Sequence, residues 1–191
     1  MTKIELRQQF KQKRQSLSTD CLQEKSQTLS RVFFEFFELN KLKYIHLFLP
    51  ISRLNEINTW IIIKEIWQNY PNIVLVTAKS HLHTGEMTHY FFDANTELLE
   101  NAWDIPEPVE TEQCPNEMID MVLLPLLCFD KQGARVGYGK GFYDKFLQKC
   151  RTNTLKVGLS LFEPVDRIED ITPNDVRMDF CVTTEKVFTF A

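Results

Sequence analysis

The chain is expected to fold as a three-layer α/β/α protein, with a mostly parallel central sheet covered by helices on both faces. Three observations carry that expectation. Short apolar segments rich in β-branched and aromatic residues read as buried strands, and they alternate with helical patterns, as βαβ units require. Pro and Gly punctuate the segments where chain reversals are needed. The 191 residues, 43% apolar and 25% charged, are enough for one domain with a core that needs neither disulfides nor metal staples.

The elements follow in order. Over residues 3–16, Ile4, Leu6 and Phe10 stand among Lys, Arg and Gln, which predicts a strongly polar first helix. Ser18-Thr19-Asp20 is a helix-start signal for a second helix over residues 20–39 with a rich apolar face. Residues 42–49 (LKYIHLFL) form the first strand and stop at Pro50; 50–57 is a loop. Asn58-Thr59 caps a third helix reaching about residue 70, and 73–77 (IVLVT) is the second strand. Gly85 turns a hairpin whose second arm is 87–92, and 93–117, with Pro106, Pro108 and Pro115, is a long irregular connection. A third buried strand at 118–127 leads into a polar loop at 129–135. A helix over 142–149, a strand at 155–159 and a terminal strand near 180–182 complete a single domain, 1–191, without internal repeats.

Charge and composition exclude several classes of function. With 22 Lys+Arg against 26 Asp+Glu the net charge is −4, the opposite of a nucleic-acid footprint. The longest apolar stretches, 32–39 and 60–66, are broken by Glu35, Glu38, Lys64 and Glu65, so no membrane span or membrane partner is expected. The N-terminus lacks the apolar run of a signal peptide. Five cysteines, at 21, 114, 128, 150 and 181, form no CxxC pair and no even framework, which predicts reduced thiols and a cytoplasmic setting.

The most informative segment is ARVGYGKGFYDKF (134–146), where Gly137, Gly139 and Gly141 alternate with Tyr138 and Lys140 between a buried strand and a helix start. Glycines let the backbone approach a ligand, amides at a helix start favour anions, and Arg135 and Lys140 supply cations suited to phosphate. The loop is neither a Walker A sequence nor a GxGxxG fingerprint. A tight structural turn would use the same glycines. In open α/β sheets, however, ligands sit at the carboxyl ends of strands, and that favours a phosphate site.

The longer run LLPLLCFDKQGARVGYGKGFYDKFL (123–147) resembles the signature of the 5-formyltetrahydrofolate cyclo-ligases, also called methenyltetrahydrofolate synthetases. An N-terminal Lys-x-x-x-Arg, a WDIPEP segment (103–108) and a late Asp agree in order. The resemblance implies an α/β/α fold near the sugar-phosphate isomerase and CoA-transferase group. It also implies conversion of 5-formyltetrahydrofolate and ATP, with Mg²⁺, to 5,10-methenyltetrahydrofolate, ADP and phosphate by a monomer. A formamide oxygen is a poor leaving group until a phosphoryl group is placed on it; N10 then attacks the formyl carbon. By match to the family, Arg135, Val136, Gly137, Tyr138, Gly139, Lys140, Gly141, Phe142 and Tyr143 bind ATP. Of these, Gly139 to Tyr143 also line the folate, and Lys140 and Tyr143 serve catalysis. Lys3 and Arg7, on one helix face at i and i+4, match a nucleotide-binding pair. Leu49, Glu56 and Trp103 match folate-site positions, and Asp144 and Asp179 the magnesium ligands, with Asp175 a competitor for the second place. The alternatives are a sugar-phosphate isomerase-like enzyme or a non-catalytic nucleotide-binding regulator.

Three further signals are read as structural. His81, His83 and His89 lack the companions of a zinc site and suit an exposed hairpin. The Phe33–Phe37 run is a core-facing helix stripe. Cys128, without a matched His, is a small buried hydrophobe.

Overall fold

The computed structural model describes residues 1–81, 83–102, 104–109 and 111–190. Helix α1 (Lys3–Gln15) begins in a capping box, in which Thr2 Oγ1 accepts from Glu5 N–H while Glu5 Oε2 accepts from Thr2 N–H at 2.8 Å. Helix α2 (Thr19–Phe36) is capped by Ser18 Oγ, which accepts from Cys21 N–H at 3.2 Å. Strand β1 (Tyr44–His46), helix α3 (Trp60–Asn69) and the hairpin of β2 (Val74–His81) and β3 (Glu86–Phe92) follow. Next come β4 (Leu98–Glu100), β5 (Pro106–Pro108), β6 (Met121–Pro125), β7 (Cys128–Phe129), β8 (Arg135–Val136) and α4 (Phe142–Leu147). Strands β9 (Leu155–Leu159), β10 (Phe180–Val182) and β11 (Val187–Thr189) close the chain. Among the described residues no helix is long and apolar enough to cross a membrane, and all five cysteines are free thiols.

Seven strands form the main sheet in the order β11-β10-β9-β6-β1-β2-β3. The five inner strands run parallel; β3 and β11 close the two edges antiparallel. Alternate residues of the inner strands face opposite layers. Ile45, Leu75, Met121, Leu123, Val157 and Val182 pack under α2 and α3 through Leu29, Phe33, Ile62 and Ile66. Val76, Val122, Leu124 and Cys181 pack on the other face, where α4 contributes Phe146 and Leu147. Burial on both faces is why these strands read as continuous apolar runs. Helix α1 lies apart from both layers: Leu6 and Phe10 pack on Leu127, Cys128 and Val136 of the β7–β8 hairpin.

Several expectations change in detail. The first strand keeps only three ladder residues. Leu47 N–H still donates to Val76 O at 2.9 Å, but Phe48 and Leu49 leave the sheet. The irregular stretch 93–117 contains the two-stranded ribbon β4–β5, which tolerates Pro106 and Pro108 because it is not a central strand. The polar loop 129–135 is a hairpin closed by buried Asp130, whose Oδ1 accepts from Gln132 N–H and Ala134 N–H at 2.9 and 3.0 Å. Part of the 123–147 signature is therefore turn construction. Strand β11 has no counterpart in the sequence reading, being three residues that register only against β10.

Candidate active site

Counted in chain order, the five parallel strands lie 2-1-3-4-5 across the sheet, so connections depart in opposite directions from β1 and β6. A crevice opens at the carboxyl ends of such a pair. Here it is a cleft of about 670 Å³, walled by Leu47, Phe48, Leu49 and Ile51 after β1, Pro125 at the end of β6, and residues 135–144. Lys3 and Arg7 of α1 reach it from the side, and Ile105 and Pro106 from the β4–β5 ribbon.

The glycine loop connects β8 to α4. Gly139 and Gly141 have φ of +93° and +73°, which side chains with a Cβ rarely adopt. The amides of Gly137, Gly139, Gly141, Phe142 and Tyr143 donate to no protein acceptor among the described residues, so a run of N–H groups is left for a ligand. Arg7 fixes the start of the loop, its Nε donating to Gly137 O at 3.0 Å. Arg135, 7% exposed, donates through Nη1 to Val176 O and through Nη2 to Asp144 Oδ1 at 2.7 Å. Burial lowers the pKa of its guanidinium, and Asp144 opposes that shift.

Two carboxylates stand among these cations. Asp144 Oδ1 accepts from Arg135 and from Val176 N–H at 3.0 Å; Asp175 Oδ2 accepts from Lys3 Nζ at 2.5 Å and from Thr172 N–H at 2.6 Å. The bonds from Lys3 and Thr172 hold the Asp175 carboxyl below its usual range, against the opposing effect of burial, the largest single cause. Each acid keeps its other oxygen uncommitted among the described residues, and both line the cleft. Such a donor set fits Mg²⁺, which takes one or two carboxylates and completes its shell with water and phosphate oxygens. Asp179 does not join them. Its Oδ2 accepts from Lys156 N–H at 2.8 Å and pairs with Lys156 Nζ at 2.9 Å, at the amino ends of β9 and β10, opposite the cleft. Of the two acids of the PNDVRMDF segment, the one that reaches the cleft is Asp175, not the expected Asp179.

On the opposite wall, Leu49 is buried and Glu56 is 6% exposed. Glu56 Oε2 accepts from Ile51 N–H at 2.9 Å and Oε1 from the Tyr138 hydroxyl at 2.8 Å. Burial raises its pKa; the Ile51 amide, Arg14 and Tyr138 pull it back. Tyr143 packs at 6.0 Å from the His46 ring, and burial raises its hydroxyl pKa. Trp103 lies outside the described residues. Val136, Lys140 and Phe142 are in the cleft wall.

Sequence reasoning missed Arg14, a buried cation of α1 bound to Tyr138; within a row of Lys and Arg nothing singled it out. His89 is not a surface residue. It is 3% exposed, stacks on Phe146 at 3.8 Å and meets His46 at 4.9 Å, because β3 turns it inward beneath α4. Cys128 is fully buried, and desolvation pushes its thiol up to about 12.

Comparison with known proteins agrees with this fold. A model of the 5-formyltetrahydrofolate cyclo-ligase family matches residues 1–184. The 5-formyltetrahydrofolate cyclo-ligase of Mus musculus is 29% identical over 150 residues, 76% of this chain and 73% of the mouse protein. That of Mycoplasma pneumoniae is 28% identical over 193 residues, covering 97% of this chain and 100% of its own. The solved 5,10-methenyltetrahydrofolate synthetase of Aquifex aeolicus superposes with a TM-score of 0.84 at 29% identity, over 99% of this chain and 93% of that one.

Proposed function

The chain belongs to the 5-formyltetrahydrofolate cyclo-ligase family, and on that premise we propose that it closes 5-formyltetrahydrofolate to 5,10-methenyltetrahydrofolate at the expense of ATP. Membership makes it an enzyme of this type, which retires both the isomerase and the non-catalytic regulator. The observation that carries the ATP assignment is the set of amides at Gly137, Gly139, Gly141, Phe142 and Tyr143 that have no acceptor among the described residues, edged by Lys3, Arg7, Arg135 and Lys140. Phosphoryl transfer asks a protein chiefly for positioning and charge neutralisation, which this loop offers.

In this reading the amides and Lys140 hold the phosphate oxygens in line with the formyl oxygen. That oxygen takes the γ-phosphoryl group and ADP departs; the N10 amine then attacks the formyl carbon and phosphate leaves. Asp144 and Asp175 would hold Mg²⁺, which when bound supplies a hard Lewis acid that spreads phosphate charge. Glu56, with lone pairs still available, accepts N–H bonds from the amino-pyrimidinone edge of the pterin, and the Tyr143 ring flanks the heterocycle. Leu49 supplies apolar contact on the same side. A monomer in a cytoplasmic setting belongs to the same reading; the five free thiols support the reducing environment.

The test is methenyl absorbance with both substrates, with and without a chelator. Signal should require ATP and a divalent cation. Asp175→Asn should move the Mg²⁺ titration to higher concentration, while Asp179→Asn leaves it where the unaltered enzyme has it. Absorbance without ATP, or the reverse ranking of the two variants, would overturn the corresponding assignment.

A further inference from the structure

Arg14 stands at the far end of α1 from Lys3 and has its side chain 4% exposed. Its Nη2 donates to Leu126 O beyond β6, and its Nη1 donates to the Tyr138 hydroxyl at 2.9 Å. That hydroxyl donates in turn to Glu56 Oε1, which lies 3.9 Å from Arg14 Nη1. One side chain thus joins the helix of the nucleotide-side cations, the exit of β6, the glycine loop and the folate-side acid.

The arrangement is a poor one for stability alone. Arg14 Nε is buried with no hydrogen-bond partner among the described residues, and a buried ion pair is commonly matched or bettered by apolar side chains of similar volume. Its charge has a use at Glu56. Burial favours the neutral acid, which would present a donor where the substrate edge needs an acceptor. The groups facing Glu56 are Arg14 from α1, Tyr138 from the loop, Tyr143 from α4 and the Ile51 amide; of these Arg14 is the cation.

We propose that Arg14 is a positioning residue of the folate site: directly and through Tyr138, it keeps Glu56 ionised and aligned as an acceptor for the pterin edge. This rests on the assignment of Glu56 to the folate made above. Arg14→Met removes the charge at similar length. The KM for 5-formyltetrahydrofolate should rise about tenfold or more, while that for ATP stays near the unaltered value. In this variant the rise of kcat/KM for folate with pH should move to higher pH than in the unaltered enzyme, because loss of the cation raises the Glu56 pKa further. Arg14→Lys should return the profile to that of the unaltered enzyme, and adding Glu56→Gln to Arg14→Met should abolish the shift.

Should Arg14→Met fail to fold, Tyr138→Phe removes only the bridging hydroxyl and should raise the folate KM selectively. An unchanged folate KM in Tyr138→Phe overturns the proposal. So does an Arg14→Met enzyme that melts earlier yet keeps both KM values and the pH profile. Absence of methenyl absorbance from the unaltered enzyme would instead remove the function proposed above, so the two failures are distinguishable.

Discussion

Gly139 carries two separate constraints. Its φ of +93° strains any residue with a Cβ, and a Cβ built there would lie 3.1 Å from the Arg7 guanidinium. Gly141, at φ +73°, has the first constraint without the second, since among the described residues nothing lies within 4 Å of its Cβ position. Backbone strain of about 1–2 kcal/mol applies to both, but only Gly139→Ala also displaces the side chain that holds Gly137 O. Gly139→Ala should therefore raise the KM for ATP more than Gly141→Ala does, by about tenfold against a few-fold, as measured by initial rates at saturating folate. The alternation of glycines was legible in the sequence; which of them faces Arg7 was not, because 132 positions separate the two. The same limit explains Asp175 and Asp179. Both are late acids, and they differ only in that Phe180 opens β10, which turns Asp179 toward Lys156.

At the level of elements, β9 shows how closely the layers meet. A Cβ on Gly158 would collide with Met178 Sδ and lie 2.8 Å from Leu126 Cδ2 and 3.2 Å from Cys181 Sγ. Gly158→Ala should cost about 1–3 kcal/mol, a fall of several degrees in the melting temperature, with KM values unchanged if the cleft is undisturbed. Helix α4 gives a second case. It rests on His89 and His46, both buried, with both ring nitrogens of His46 and Nδ1 of His89 lacking partners among the described residues. Burial lowers His89 from 6.5 to about 4 and His46 well below its usual value. The unfolded chain thus binds more protons than the folded one between those values. Stability present above pH 6.5 is lost as pH falls toward 4, His89 alone accounting for about 3 kcal/mol. Chemical denaturation at pH 7 and 4.5 should show this loss, and His89→Phe should reduce it. Helix α1 was legible from Leu6 and Phe10; its seat on the β7–β8 hairpin, away from both sheet faces, follows from contacts with residues 127–136.

For the whole molecule, the order 2-1-3-4-5 decides where a ligand can sit, because the crevice forms only where neighbouring connections part. Local patterns were sufficient for the alternation of strands and helices, for the glycine loop with its lysine, and for the family resemblance, since each is a property of consecutive residues. Hydrophobic periodicity and turn chemistry act over a few positions and so can be read in one dimension. The β4–β5 ribbon and β11 escaped because short edge pairs are set by their partners more than by their own composition. The joining of Arg14, Tyr138 and Glu56, the choice of Asp175, and the inward turn of His89 belonged to tertiary structure alone. Each depends on burial and on distances between residues far apart in the chain, and desolvation and Coulomb forces act through space.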